Sequence, residues 1–148
     1  MDQNKKNLIE PISAADSKRY HEKLTVGGVR LPDPFYQVDA DAWCSDLSEL
    51  PFVTFPDMYV YFVLRKGLYT CQEMKAYRSL EAFLYFESGH VQEVLTKKVD
   101  VGQKKVVFLR SKVLPSQRVG VKTKPYEAWV LCEESGEVIS GHCTCMAG

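Results

Sequence analysis

The spacing of apolar residues changes at Gly89, and this change constrains the fold more than any other feature of the sequence. Upstream, apolar residues recur three and four positions apart, as on one face of a helix, at Met74, Tyr77, Leu80 and Leu84. Thr70 and Glu73 form a capping box at the start of this segment, and Gly89 suits its end. Downstream, apolar and polar residues alternate, which is typical of strands. The sequence therefore predicts helices followed by a sheet.

Four segments after this point have the pattern of antiparallel strands. They cover residues 91–99, 105–114, 126–133 and 137–145. A turn around Gly102 joins the first two, and a hairpin turn at Ser135-Gly136 joins the last two. A buried helix is also expected to begin near Pro56. The sum is an α+β fold, with short N-terminal helices and one longer helix packed on a four-stranded antiparallel meander.

The 148 residues suffice for one domain with its own core. Gly27-Gly28 and the prolines that come after them interrupt any pattern near the N-terminus. We expect residues 1–30 to form a flexible tail, with a short helix as the alternative for its first part, and residues 31–148 to form a single α+β domain. The sequence contains neither a run of about 18 apolar residues nor an apolar N-terminal segment. We therefore expect an intracellular protein without a membrane partner. A nuclear location is a further expectation.

The net charge of zero conceals strongly charged blocks. Residues 31–60 contain six acidic side chains and no basic ones, whereas residues 97–124 contain nine basic side chains and one acidic one. A basic block of this kind is a candidate phosphate-contacting surface. Its best candidates are Arg110, Lys112, Arg118, Lys122 and Lys124. The alternative is a solvated sheet face whose cations pair with the acidic block, within the fold or across a dimer.

Cys143 and Cys145 are candidate zinc ligands. Residues two apart on a strand point to the same face, so both thiolates can reach one ion, but a tetrahedral site needs two further ligands. His142 is expected to point to the opposite face. We interpret Cys44 and Cys71, which lie among apolar residues, as buried thiols.

Four segments, lying between about Val38 and the end of the chain, carry a resemblance to a known family. They are DAWCSDLSELPFVTFPDMYVYFV, SLEAFLYFESGHV, KVLPSQR and AWVLCEESGEVISGHCTCMAG. These segments resemble the N-terminal part of metazoan SWIM-type zinc-finger proteins. The family is derived from mobile elements, and its members are often joined to a YqaJ-like phage recombinase-type exonuclease domain.

The resemblance implies a zinc site that this chain contains only in part. In the family, a tract similar to GHCTCMAG continues into a C-x-H pair, which completes a CxC…CxH finger. Residues 126–148 would then be the first half of the finger, with Cys143 and Cys145 as two zinc ligands. Zinc is expected only if the second ligand pair lies beyond residue 148 or comes from another chain. We expect the 148 residues alone to hold no stoichiometric zinc.

The sequence contains no hydrolase, nucleotide-loop or metalloprotease motif, so we expect no catalytic activity from this chain. Any nuclease activity would lie in a separate domain. The resemblance implies a nucleic-acid-binding module that positions DNA or RNA, or a protein partner, for a recombinase-type nuclease. The alternative is a protein-interaction or scaffolding domain without affinity for nucleic acid, whose partner is another protein or a second copy in a homo-oligomer.

Overall fold

The structure, a computed structural model, describes residues 14–115 and 124–144. Its N-terminal part contains helix α1 (Ala14–Lys23) and a small hairpin of β1 (Thr25–Val26) and β2 (Val29–Arg30). Three short helices come next in the chain, α2 (Phe55–Tyr59), α3 (Cys71–Lys75) and α4 (Glu81–Glu87). A π-helical turn, Val60–Arg65, extends α2. We call residues 52–89, which contain these helices, the helical segment.

A four-stranded antiparallel sheet forms the C-terminal part, and its strands lie side by side in chain order. They are β3 (Leu95–Val101), β4 (Lys104–Val113), β5 (Tyr126–Glu133) and β6 (Val138–Cys143). A two-residue turn joins β3 to β4, and Gly102 supplies the positive φ of 61° that such a turn requires. The predicted α+β fold and its antiparallel meander are confirmed.

Residues 70–89 form two helices rather than the one longer helix that the apolar spacing predicts. The predicted capping box is present, because Thr70 Oγ1 accepts from the Glu73 amide and the Glu73 carboxylate accepts from the Thr70 amide. A 3-10 turn then separates α3 from α4. In this turn the Ser79 hydroxyl donates to the carbonyl of Ala76, a local hydrogen bond of the type that competes with helix continuation.

Residues 14–30 pack on one face of the sheet. They therefore do not form the flexible tail that the sequence predicts. Their apolar side chains join a buried cluster, which contains Leu24, Val26, Leu31, Val101, Val106, Phe108, Trp129 and Leu131. At its edge the Tyr20 hydroxyl accepts a hydrogen bond from Trp129 Nε1 and donates one to Asp33. We call this side of the sheet the core face.

The helical segment is attached at the turn between β5 and β6. The Arg65 guanidinium donates to the carbonyl of Val138 and forms an ion pair with Glu137. In the turn itself, Gly136 has a φ of 108°, and a Cβ atom there would collide with the backbone carbonyl of Phe52. Glycine is therefore required at this position both by the backbone conformation and by the close approach of the two backbone segments.

Few side chains of the helical segment are buried. Among its residues Met74 alone is buried, although the sequence predicts a buried helix near Pro56. Several large apolar side chains are instead exposed, namely Phe52, Leu64, Leu68, Leu84 and Phe86. The segment therefore contributes less than the sheet to the hydrophobic core.

The thiols differ in their surroundings. Cys132 on β5 is buried, and burial raises its pKa to about 11. Cys44 and Cys71 are only partly buried, unlike the buried thiols that the sequence predicts. The reason is their position, since Cys44 bridges to Thr96 on the edge strand β3 and Cys71 begins the short helix α3.

We predict that Leu24→Ala lowers the free energy of unfolding by roughly 2–4 kcal/mol, because it removes a core side chain that is 1% exposed. Leu64→Ala is the matched control, since it removes the same atoms from a side chain that is 67% exposed and should change stability by about 0.5 kcal/mol or less. Urea unfolding followed by tryptophan fluorescence measures both. Equal losses would show that residues 14–30 do not belong to the core.

Candidate nucleic-acid interface

Arg110 on β4 joins the loop before the helical segment to the sheet. Its guanidinium donates to the carboxylate of Glu127 over 2.9 Å and to the carbonyl of Pro34 over 2.9 Å. The guanidinium carbon lies 5.1 Å from the ring centre of Phe35 and 5.8 Å from that of Trp43. At these distances cation–π attraction adds to the hydrogen bonds. Arg110 thus holds both aromatic rings against the sheet.

These contacts determine what Arg110 can contribute to binding. Its side chain is 22% exposed, and Glu127 neutralises its charge. Transferring Arg110 to a phosphate would leave a partly buried carboxylate without its partner, which is costly. The geometry therefore favours a role for Arg110 in positioning Phe35 and Trp43, rather than the phosphate contact that the sequence predicts.

A cleft of about 460 Å³ opens beside Arg110. It is lined by Ala40, Trp43, Gln92, Glu93, Leu95, Arg110, Ser111 and Lys112. Lys112 is exposed, and the described residues include no ion-pair partner for it. The cleft therefore combines an aromatic residue with an ammonium group that has no ion-pair partner in the described part of the chain, and its volume is in the range of ligand sites.

Trp43 presents the apolar part of its indole to this cleft. Its Nε1 atom is buried and has no hydrogen-bond acceptor among the residues that the structure describes. Because the polar edge of the ring is inaccessible, the accessible part of the indole consists of carbon atoms. Sequence reasoning did not select Trp43, since the only local signal was a large aromatic residue within the acidic block.

Lys112 and Lys124 lie at the same end of the sheet. Lys112 is the last but one residue of β4, and Lys124 is exposed two positions before β5 begins. The two strands are antiparallel neighbours, with Lys112 opposite Glu127. Arg118 and Lys122 belong to the connection between these strands and lie outside the described residues. Of the five predicted cations, the structure thus places Arg110, Lys112 and Lys124 in one region.

Other cations of the basic block pair with glutamates. Lys104 lies 3.3 Å from Glu133 on β5, and Lys98 forms an ion pair with Glu49. Among the described ion pairs, that of Lys98 is the one that joins the basic block to the acidic block of residues 31–60. Internal pairing therefore involves mainly the glutamates of β5, and it does not extend to Lys112 within the described ranges.

Cys143 and His142 lie on opposite faces of β6. Cys143 is opposite Ala128, and His142 is opposite Trp129, whose side chain belongs to the core face. Cys145 lies outside the described residues, so its distance from Cys143 is not defined. Across residues 14–115 and 124–144, no three His, Cys, Asp or Glu side chains are grouped to hold a metal ion.

His142 is engaged in packing α1 against the sheet. Its ring centre lies 4.8 Å from that of Tyr20, and its Nδ1 lies 3.3 Å from Lys23 Nζ. Burial, followed by the nearby charge of Lys23, lowers the pKa of His142, and burial also lowers the pKa of Lys23. Burial thus disfavours the charged form of each group.

Comparisons with known proteins identify no relative. No protein-family model, curated protein or solved structure matches the chain. In the part of the chain that the structure describes, no helix has the length and apolar character needed to cross a membrane. Membership of the SWIM zinc-finger family therefore stays a prediction from the four sequence segments.

We predict that Arg110→Met lowers the free energy of unfolding by about 1–3 kcal/mol, because it leaves Glu127 without its partner and removes the contacts to two rings. A double-mutant cycle with Glu127→Gln should give a coupling energy of about 0.5–3 kcal/mol in urea unfolding. Lys112→Met, on the same strand, should change stability by about 0.5 kcal/mol or less. Additive effects of the Arg110 and Glu127 substitutions would contradict the positioning role.

Proposed function

We propose that this chain is a non-enzymatic nucleic-acid-binding module of the SWIM zinc-finger type. The observation that carries the proposal is the cleft in which the carbon surface of Trp43 lies beside the exposed ammonium group of Lys112. Aromatic surfaces next to cations are the combination with which many proteins bind nucleic-acid strands. Lys124 extends the cationic surface at the same end of the sheet. Arg118 and Lys122, the other predicted phosphate contacts, lie outside the described residues.

In the complete protein, the module would position DNA or RNA for a recombinase-type nuclease on the same or another chain. This part of the proposal rests on the resemblance of the four sequence segments. The nuclear, intracellular location belongs to the same inference. The cleft, whose aromatic residue packs against Arg110, supports this role.

Zinc would be bound by Cys143 and Cys145 together with a second ligand pair from beyond residue 148 or from another chain. The position of Cys143 fits this role, since it ends β6 on the face opposite the packed His142. Both thiolates would serve a structural site that holds the end of the sheet to the rest of the finger. His142 takes no part, because Lys23 and Tyr20 occupy its surroundings.

We predict that the protein binds short DNA at low salt and that the logarithm of the association constant falls linearly with the logarithm of the salt concentration. Lys112→Gln removes one phosphate contact, so it should weaken binding and reduce the magnitude of this slope by about 1. Fluorescence anisotropy of a labelled oligonucleotide, titrated at several KCl concentrations, measures both quantities.

Lys105→Gln is the matched control for this experiment. Lys105 is an exposed cation of the same strand, but alternation places it on the face opposite Lys112 and near the other end of the strand. Its removal should leave the salt slope unchanged. Absence of binding at low salt, or binding that does not depend on salt, would overturn the proposed function.

A second candidate function, binding of a protein partner or a second copy of the chain, is favoured by the exposed apolar side chains of the helical segment. Phe52 is 80% exposed, Leu64 67% and Phe86 61%. If these side chains form a contiguous patch, they would provide an interaction surface of the kind that protein partners cover. None of these three residues lines the cleft, so this function and nucleic-acid binding do not exclude each other.

A further inference from the structure

We propose that the cleft between Trp43 and Lys112 binds one nucleotide of a single strand, with the base against the indole and the phosphate at the ammonium group. The inference rests on the proposed function and adds the form of nucleic acid that the site accepts. It follows from three properties of the cleft, which are its exposed carbon surface, its mixed charge and its size.

The carbon surface of Trp43 is suited to stacking. Arg110 fixes the ring from one side, and the buried Nε1 atom leaves only carbon atoms accessible. Such a surface cannot hydrogen-bond a phosphate or a sugar hydroxyl, whereas the face of any base can pack on it. In a duplex the base faces are stacked on each other and are not available, so the contact requires an unpaired base.

The charges at the cleft disfavour a simple polyanion site. Lys112 supplies a cation, but Glu93 places a carboxylate in the same lining. A ligand that carries only negative charge would be attracted by one group and repelled by the other. A nucleotide separates its anionic phosphate from its neutral base, so it can place the phosphate at Lys112 and direct the polar edge of the base toward Glu93 and Gln92.

The size of the cleft agrees with one nucleotide. Its volume of about 460 Å³ lies in the lower half of the range of small-molecule sites. Leu95 and Ala40 add apolar lining beside the indole. The site therefore accepts a single flat group with one charged end, and successive nucleotides would continue toward Lys124 along the end of the sheet.

The experiment uses tryptophan fluorescence and two probes, a short oligodeoxythymidylate and inorganic polyphosphate of similar charge. The chain has two tryptophans, and Trp129 is 1% exposed, so quenching by a bound ligand reports on Trp43. We expect the oligodeoxythymidylate to quench the emission and to bind more tightly than a duplex of the same length. Polyphosphate should cause no quenching.

Two substitutions of Trp43 separate stacking from mere loss of structure. Trp43→Phe keeps an aromatic face and should retain affinity for the oligodeoxythymidylate within a few fold. Trp43→Leu keeps apolar packing without that face and should weaken binding by about five-fold to one hundred-fold. Lys105→Gln should leave affinity and quenching unchanged, and circular dichroism checks that each variant is folded.

The outcomes distinguish this inference from the proposed function. If neither the oligodeoxythymidylate nor the duplex binds at low salt, the proposed function fails. If the protein binds in a salt-dependent manner but prefers the duplex, or binds without quenching, the single-nucleotide site is overturned while nucleic-acid binding stands. If Trp43→Leu is unfolded, the unaltered protein alone tests the single-nucleotide site. Quenching by oligodeoxythymidylate but not by polyphosphate would support the site, and any other result would overturn it.

Discussion

The contact between Arg110 and Glu127 is the interaction on which the candidate site depends. It neutralises a cation on the core face of the sheet, and the same guanidinium packs against Phe35 and Trp43. Arg110 also donates to the carbonyl of Pro34, and the backbone of Cys44 pairs with Thr96 on β3, so both strands hold the loop that carries Trp43. Arg110, a cation of the basic block, thus packs against the loop, and its neighbour Lys112 carries the exposed charge of the cleft.

The two parts of the structure differ in how completely they are packed. On the core face, Tyr20 links α1 to Trp129 and Asp33, so the N-terminal residues complete the core of the sheet. The helical segment buries little and is held by Arg65 and by the close approach at Gly136. A firmly packed sheet suits a site that needs fixed geometry, whereas the exposed apolar side chains of the helical segment suit contact with another surface.

The sheet could be predicted because its signals are local. Alternation along β4 and the turn at Gly102 specify the first hairpin without reference to the rest of the chain. The burial of Leu24 could not be predicted, since it depends on strands far away in sequence. The candidate site could be predicted only in part. The charge pattern selected Lys112, but the fold is needed to bring Trp43 into the same cleft. The fold also shows that Glu127 neutralises the charge of Arg110.

The indole N–H signals of the two tryptophans test most directly whether Trp43 and Lys112 form a binding site. A ¹H–¹⁵N correlation spectrum of the whole chain, recorded while oligodeoxythymidylate is added, follows Trp43 and Trp129 separately. We predict that the Trp43 indole signal and the Lys112 amide shift together, while the Trp129 indole, which donates to Tyr20 in the core, stays in place. Shifts confined to the helical segment, with the Trp43 signal unmoved, would contradict a site at this cleft.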